Sequence, residues 1–147
     1  MKKVYLYILS SFIFLLSCGP KSENPTDMVK IDKDNLPEMK FEEDVFDFGT
    51  ITQGEKVTHD FKFENTGESD LIISNAYGSC GCTVPEVPKQ PIAAGDENII
   101  RVTFDSKGKS GMVTKDVTIV TNCMPNSRII KIKGNIFVPK TQNSITP

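Results

Sequence analysis

The chain has 147 residues, with 17 Lys and Arg against 19 Asp and Glu, one histidine, four cysteines and no tryptophan. A formal charge of −2 argues against a nucleic-acid partner, which would call for a basic patch. The length suits one domain and a tether. A single histidine excludes a multi-histidine metal centre and leaves a Ser-His-Asp or Cys-His arrangement without independent support.

Lys2 and Lys3 precede an apolar run from Val4 to Leu16, followed by Ser17, Cys18 and Gly19. A positive start, a short apolar stretch and a small residue before the cut read as a secretory signal over residues 1–17. The run falls short of the roughly 20 apolar residues of a membrane-spanning helix. Leu15-Leu16-Ser17-Cys18 resembles a bacterial lipobox. That resemblance implies diacylglyceryl transfer to the Cys18 thiol, cleavage before Cys18 and acylation of the new amino group. At about 0.8 kcal/mol per buried methylene, two membrane signals already anchor stably, so the anchor is expected to be permanent. Loss of Lys2 and Lys3 takes the 17 basic side chains to 15 against 19 acidic ones, a charge of −4. Gly19 is not an aspartate, so no inner-membrane retention signal of the enterobacterial type follows Cys18. The expected site is the cell envelope, at the outer membrane in a two-membrane cell.

Residues 18–40 carry the lipidated cysteine and a polar, proline-containing stretch with neither helical nor strand period, expected as a flexible tether. Twenty extended residues at about 3.3 Å each would reach some 65 Å from the lipid surface. From Phe41 to Val138 the pattern is strand after strand, bounded by turn residues. Val57, His59, Phe61 and Phe63 alternate with polar residues, as do Ile100, Val102 and Phe104, and then Ile130, Ile132, Ile136 and Val138. One apolar face at period 2 is what two packed antiparallel sheets require. The alternation predicts strands near 45–51, 56–65, 71–77, a short one after Cys82, then 97–105, 112–121 and 128–137. About seven strands in roughly 100 residues indicate an all-β, immunoglobulin-like, seven-strand antiparallel sandwich, with 139–147 as a loose tail.

Several motifs stand in order along the chain: Phe46-Asp47-Phe48-Gly49, Phe63-x-Asn65-x-Gly67, Cys80-Gly81-Cys82-Thr83-x-Pro85, Phe104-Asp105 and Lys131-x-Lys133-Gly134. They resemble a bacterial domain-of-unknown-function family of secreted proteins and lipoproteins with a Cys-Gly-Cys-Thr immunoglobulin-like domain. That family is similar in turn to hydin, abnormal-spindle and major-sperm-protein-like domains. The resemblance covers residues 41–138 and implies a fold and an envelope setting; it carries no agreed activity.

Cys80 and Cys82 admit three readings. They are two small, half-buried cysteines ending a strand, free or bonded; or a disulfide, structural or labile; or a soft-metal site. Disulfides persist outside the cytoplasm. Residues i and i+2 of a strand lie near the upper Cα separation of about 6.8 Å that a disulfide tolerates, a gap that Gly81 is expected to relax. So small a ring would be more oxidising than a structural bond. Two thiolates suit Cu(I) or Zn, but tetrahedral zinc wants four ligands and only Cys123 and His59 remain, on separate strands. Cys123 follows the sixth strand, at the opposite pole from the end of the third. A seven-residue strand is about 20 Å long, beyond disulfide reach, so Cys123 is expected to be an unpaired thiol. His59 shares the apolar face of its strand, where a lone histidine is usually core or rim.

The leading expectation is a lipid-anchored, non-enzymatic envelope module that binds another envelope protein or serves a structural role. No catalytic residues, metal, cofactor or small-molecule substrate are expected. The alternative is a redox or soft-metal-handling lipoprotein that works through Cys80 and Cys82.

Overall fold

The computed structural model of the chain describes residues 35–140. The signal segment, Cys18, most of the tether and nearly all of the tail lie outside the described residues. Eight strands follow in order: β1 (Met39–Phe41), β2 (Val45–Thr52), β3 (Lys56–Asn65), β4 (Ile73–Gly78), β5 (Thr83–Glu86), β6 (Glu97–Asp105), β7 (Gly111–Thr121) and β8 (Ser127–Phe137). They form two four-stranded sheets, ordered β1-β3-β6-β5 and β2-β8-β7-β4. The all-β, immunoglobulin-like sandwich expected from the alternation is the fold. Phe61, Ile100, Val102, Phe104, Ile119 and Ile130 are fully buried between the sheets.

The strand count and one pairing differ from the sequence expectation. The first strand is split. β1 pairs antiparallel with β3, with Met39 opposite Asn65, and Met39 is 3% exposed in the core although it falls in the expected tether. The chain then changes sheets within three residues. The Glu42 amide still donates to Lys62 O at 3.1 Å, while Asp44 O already accepts from the Lys131 amide at 2.7 Å. β2 continues beside β8 and runs parallel to it, so the sandwich is not antiparallel throughout. Period 2 tells which face of a strand is buried; it says nothing about the direction of the neighbour that takes up its hydrogen bonds.

Two further assignments shift. Leu71, expected to open the third strand, instead forms an isolated bridge with Ile92, the two residues exchanging hydrogen bonds of 2.8 and 2.9 Å. β4 begins at Ile73, opposite Thr121 of β7. Val138 was expected on the inward face, but it lies past the end of β8 and is 42% exposed. Once pairing stops, parity no longer sets direction.

The core has two parts. The larger holds Met39, Phe61, Phe63, Leu71, Ile92 and their neighbours. The smaller, around Phe104, Ile132 and Ile136, also receives Phe46, Phe48, Val57 and Cys82. Gly134 makes this second cluster possible: a Cβ there would overlap the Phe48 ring, which stacks on Phe104 with centroids 5.6 Å apart. β2 reaches this position through an irregularity between Asp47 and Thr50. There Gly49 takes a φ of 70° and its amide donates to Asp47 Oδ1 at 2.9 Å. Positive φ is cheap only for glycine, which explains why the Phe-Asp-Phe-Gly run ends where it does.

Candidate functional site: the Cys80–Cys82 turn

β4 belongs to one sheet and β5 to the other, so the residues between them must turn the corner of the sandwich. Each end of the turn is tied down. The Ser79 amide donates to Asp116 O at 2.8 Å, and the Asp116 amide donates to Ser79 Oγ at 3.2 Å. On the far side the Asp105 amide donates to Cys82 O at 2.9 Å, and the Thr83 amide closes the turn onto Cys80 O at 3.1 Å. Cys80 and Cys82 therefore lie on a tight turn rather than along a strand. Their Cα atoms are 5.2 Å apart and the two sulfurs are joined as a disulfide. That separation is well inside disulfide range, whereas an extended strand would sit at its limit.

The two glycines of the segment carry different constraints. A Cβ on Gly78 would run into the Thr83 carbonyl and side chain, so Gly78 lets β5 cross directly over the end of β4. Gly81 is exposed and outside the positive-φ set, and a Cβ there would meet nothing within 4 Å. The close approach of the cysteines thus comes from the anchored ends, and the freedom expected of Gly81 is not what closes the ring. Gly78→Ala should destabilise the domain by about 1–3 kcal/mol, the usual range for overpacking. Gly81→Ala should stay within about 0.5 kcal/mol of the parent. Paired urea titrations check this, and equal losses for the two variants would contradict it.

A disulfide closing so short a loop removes little chain entropy, on the order of 1.6 kcal/mol against about 3 for a fifteen-residue loop. It joins segments that the backbone already holds, so its contribution to the fold is small. Beneath it lies Thr83, 3% exposed, with its hydroxyl 3.6 Å from Cys80 Sγ and 3.9 Å from Cys82 Sγ. In the sequence Thr83 stands out only as part of the Cys-Gly-Cys-Thr motif. The available signal was its position: a polar β-branched residue opening a short strand, opposite the inward-facing Phe104.

The remaining candidates lie elsewhere. Cys123 is a free thiol, 2% exposed, packed in the larger core cluster. It stands just past the end of β7 that pairs with Ile73, whereas the disulfide follows Gly78 at the other end of that ladder. His59 is half-buried and stacks on Phe46, with centroids 3.7 Å apart and planes 6° from parallel. Its Nε2 meets Glu43 Oε1 at 2.8 Å. Glu43 is the residue at which the first strand changes sheets, so His59 pins that crossover. Among the described residues no group of three or more His, Cys, Asp or Glu side chains converges as a metal site. On the outer face of the β3–β6 ladder, Arg101 donates from Nε and Nη2 to the two Asp60 oxygens at 2.7 and 2.8 Å. These hydrogen bonds hold the Asp60 carboxyl below its ordinary range and push the Arg101 guanidinium up.

A sandwich of two four-stranded sheets, with its first strand split between them and running parallel to the last, is an immunoglobulin-like fold. The chain belongs to the family described as proteins of unknown function, DUF1573, whose pattern matches residues 39–136. The match opens at Met39, the residue that begins β1. A protein of unknown function from Porphyromonas gingivalis is similar at 18% identity with a TM-score of 0.61, over 69% of this chain and 48% of that one. The chain thus spans about half the length of that relative. The ASH/PapD-like domain 7 of human CEP192 is similar at 11% identity with a TM-score of 0.55, over 71% of this chain and 89% of that one. The secreted serine protease VesC of Vibrio cholerae is similar at 12% identity with a TM-score of 0.52, over 71% of this chain but 23% of that one. At such identities the likeness is one of fold. No curated protein matches the chain.

Proposed function

We propose that the protein is a lipid-anchored, non-enzymatic module of the cell envelope that binds another envelope protein through the outer face of its β2-β8-β7-β4 sheet. The observation that carries this reading is a row of side chains across three strands. Tyr77 stands opposite Thr118, which stands opposite Ile129, and both Tyr77 and Ile129 are 52% exposed. The row is bordered by ion pairs on the same face, Lys131 with Asp116 at 2.8 Å and Lys133 with Asp47 at 3.8 Å. An aromatic and an aliphatic anchor beside a charged rim is the composition of a protein-binding patch. The row also reaches β4, an edge strand of its sheet, where a partner's strand has backbone groups to meet.

The anchor part of the reading rests on the Leu15-Leu16-Ser17-Cys18 motif. With Gly19 rather than an aspartate after Cys18, it supports an outer-membrane lipoprotein whose tether holds the domain away from the lipid. The experiment is crosslinking of intact cells followed by mass spectrometry, comparing the parent, Tyr77→Ala combined with Ile129→Ser, and Cys18→Ser. The expected result is a defined envelope protein crosslinked to the parent and lost by at least about tenfold from the double variant, as for removal of a hot-spot pair. Cys18→Ser should lose acyl labelling and membrane association. An unchanged crosslinking pattern in the double variant would overturn the choice of face, and a Cys18→Ser protein still carrying acyl label would overturn the anchor.

A further inference from the structure

The buried Thr83 hydroxyl has two side-chain partners, and both are sulfurs: Cys80 Sγ at 3.6 Å and Cys82 Sγ at 3.9 Å. Buried hydroxyls ordinarily meet an oxygen or a nitrogen. Sulfur in a disulfide is a weak acceptor, whereas a thiolate is an ionised one, and hydrogen bonds to ionised groups are roughly twice as strong as neutral ones. The hydroxyl therefore favours the reduced pair over the bonded one. The turn itself does not depend on the bond, since the hydrogen bonds of Ser79, Cys80, Cys82 and Thr83 hold its backbone. The two sulfurs also differ in surroundings. Cys82 packs against the smaller core cluster, while Cys80 is packed into neither.

We propose that the Cys80–Cys82 bond exchanges with an external dithiol, with Cys80 as the sulfur attacked, Cys82 as the sulfur released and Thr83 as the positioning residue for the released thiolate. A thiolate of the dithiol attacks Cys80 Sγ. The Cys80–Cys82 bond breaks, and its electron pair goes to Cys82 Sγ, which accepts the Thr83 hydrogen bond and stays a thiolate. The second thiol of the dithiol, losing its proton to water, attacks its own sulfur in the mixed disulfide and releases Cys80 as a thiolate, which takes a proton from water. The net change reduces the Cys80–Cys82 pair by two electrons and one proton, oxidises the dithiol to a disulfide and leaves the dithiol's other proton in solution; the reverse reaction restores the starting state. This activity goes beyond the binding reading and does not rest on it, because it uses neither the Tyr77 row nor the lipid anchor.

The test uses the full chain equilibrated at neutral pH with graded ratios of reduced and oxidised glutathione, then trapped by alkylation. Proteolytic fragments separate the Cys80–Cys82 segment from Cys18 and Cys123 by mass. The parent pair should convert from bonded to free within the glutathione range, and brief exposure should place the mixed disulfide on Cys80. Thr83→Val should demand a roughly tenfold higher reducing ratio, the worth of one hydrogen bond to a charged group, and Thr83→Ser should restore the parent midpoint. The alkylation rate of the reduced pair should rise at lower pH in the parent and in Thr83→Ser than in Thr83→Val, because the hydroxyl stabilises the thiolate. A merely structural threonine would not separate serine from valine in that profile. A bond that stays closed in excess reduced glutathione overturns the proposal. So does a Thr83→Val protein that matches the parent, a Thr83→Ser protein that matches valine, or glutathione found on Cys82.

Discussion

Asn65→Ala is expected to lower the unfolding free energy by about 3–5 kcal/mol, the range for emptying a buried site and stranding its hydrogen-bond partners. Asn65 is fully buried. Its amide nitrogen donates to Ser69 O at 2.8 Å and to Ile92 O at 2.9 Å. Its amide oxygen accepts from the Gly67 amide at 3.2 Å and the Glu38 amide at 3.3 Å. One side chain thus ties the approach to β1, the turn after β3, and the Leu71–Ile92 bridge. The same region needs Gly67, since a Cβ there would collide with the backbone of Leu36, Pro37 and Glu38. Alanine takes their partner from the Ser69 carbonyl and the Glu38 and Gly67 amides, leaves the Ile92 carbonyl with the Leu71 amide alone, and empties the buried site between them. Asn65→Asp should be no milder, because a carboxylate oxygen would then face the Ser69 and Ile92 carbonyls. Urea unfolding of both variants checks this; a loss below about 1 kcal/mol for alanine would mean that the loops relax to water at little expense.

Phe104→Ala is expected to cost about 3–5 kcal/mol as well. For a domain of this size each kcal/mol is worth about 4–8 °C in Tm, so the midpoint should fall by roughly 12–40 °C. Phe104 is fully buried in the smaller of the two core clusters and stacks on Phe48. Its backbone is paired on both sides, with Val57 of β3 and with Thr83 of β5. Held that way, the site cannot collapse around the lost ring, and the cavity term adds to the transfer term. Phe61→Ala, in the larger cluster, should cost a similar amount. The two variants should part in a second measurement. Cys82 packs in the Phe104 cluster, so Phe104→Ala should speed glutathione reduction of the Cys80–Cys82 bond under native conditions, and Phe61→Ala should leave it unchanged. Equal rates would show that Cys82 draws nothing from that packing.

The long strands were legible in the residues because each has one buried face and an uninterrupted register. Lys56–Glu64 pairs residue for residue with Glu97–Asp105, and Gly111–Val120 with Ser127–Ile136, so the alternation of Phe61 and Phe63 or of Ile130 and Ile132 survives into the fold. Features carried by fewer residues were hidden. β1 has three residues, too few for a period to show, and Met39 follows a proline and a glutamate that read as tether. The bridge between Leu71 and Ile92 joins two positions 21 residues apart by one pair, and no local pattern announces it. Asn65 sits in the Phe63-x-Asn65-x-Gly67 motif, but its four hydrogen bonds reach loops that only the folded chain brings together.

The Cys-Gly-Cys-Thr segment divides the same way. Spacing alone set an upper limit on the Cα separation of Cys80 and Cys82 and left free thiols, a disulfide and a metal pair all open. Strand identity and the inward parity of His59 are properties of short runs of residues, which local alternation can report. The closing of the two cysteines to 5.2 Å follows from β4 and β5 belonging to different sheets, with Ser79 anchored to Asp116 and Cys82 to Asp105. The parallel course of β2 beside β8, the pinning of the crossover by His59 and Glu43, and the burial of Thr83 beneath the sulfurs arise in the same way. Each depends on which distant segment becomes a neighbour, and that is settled when the two sheets pack.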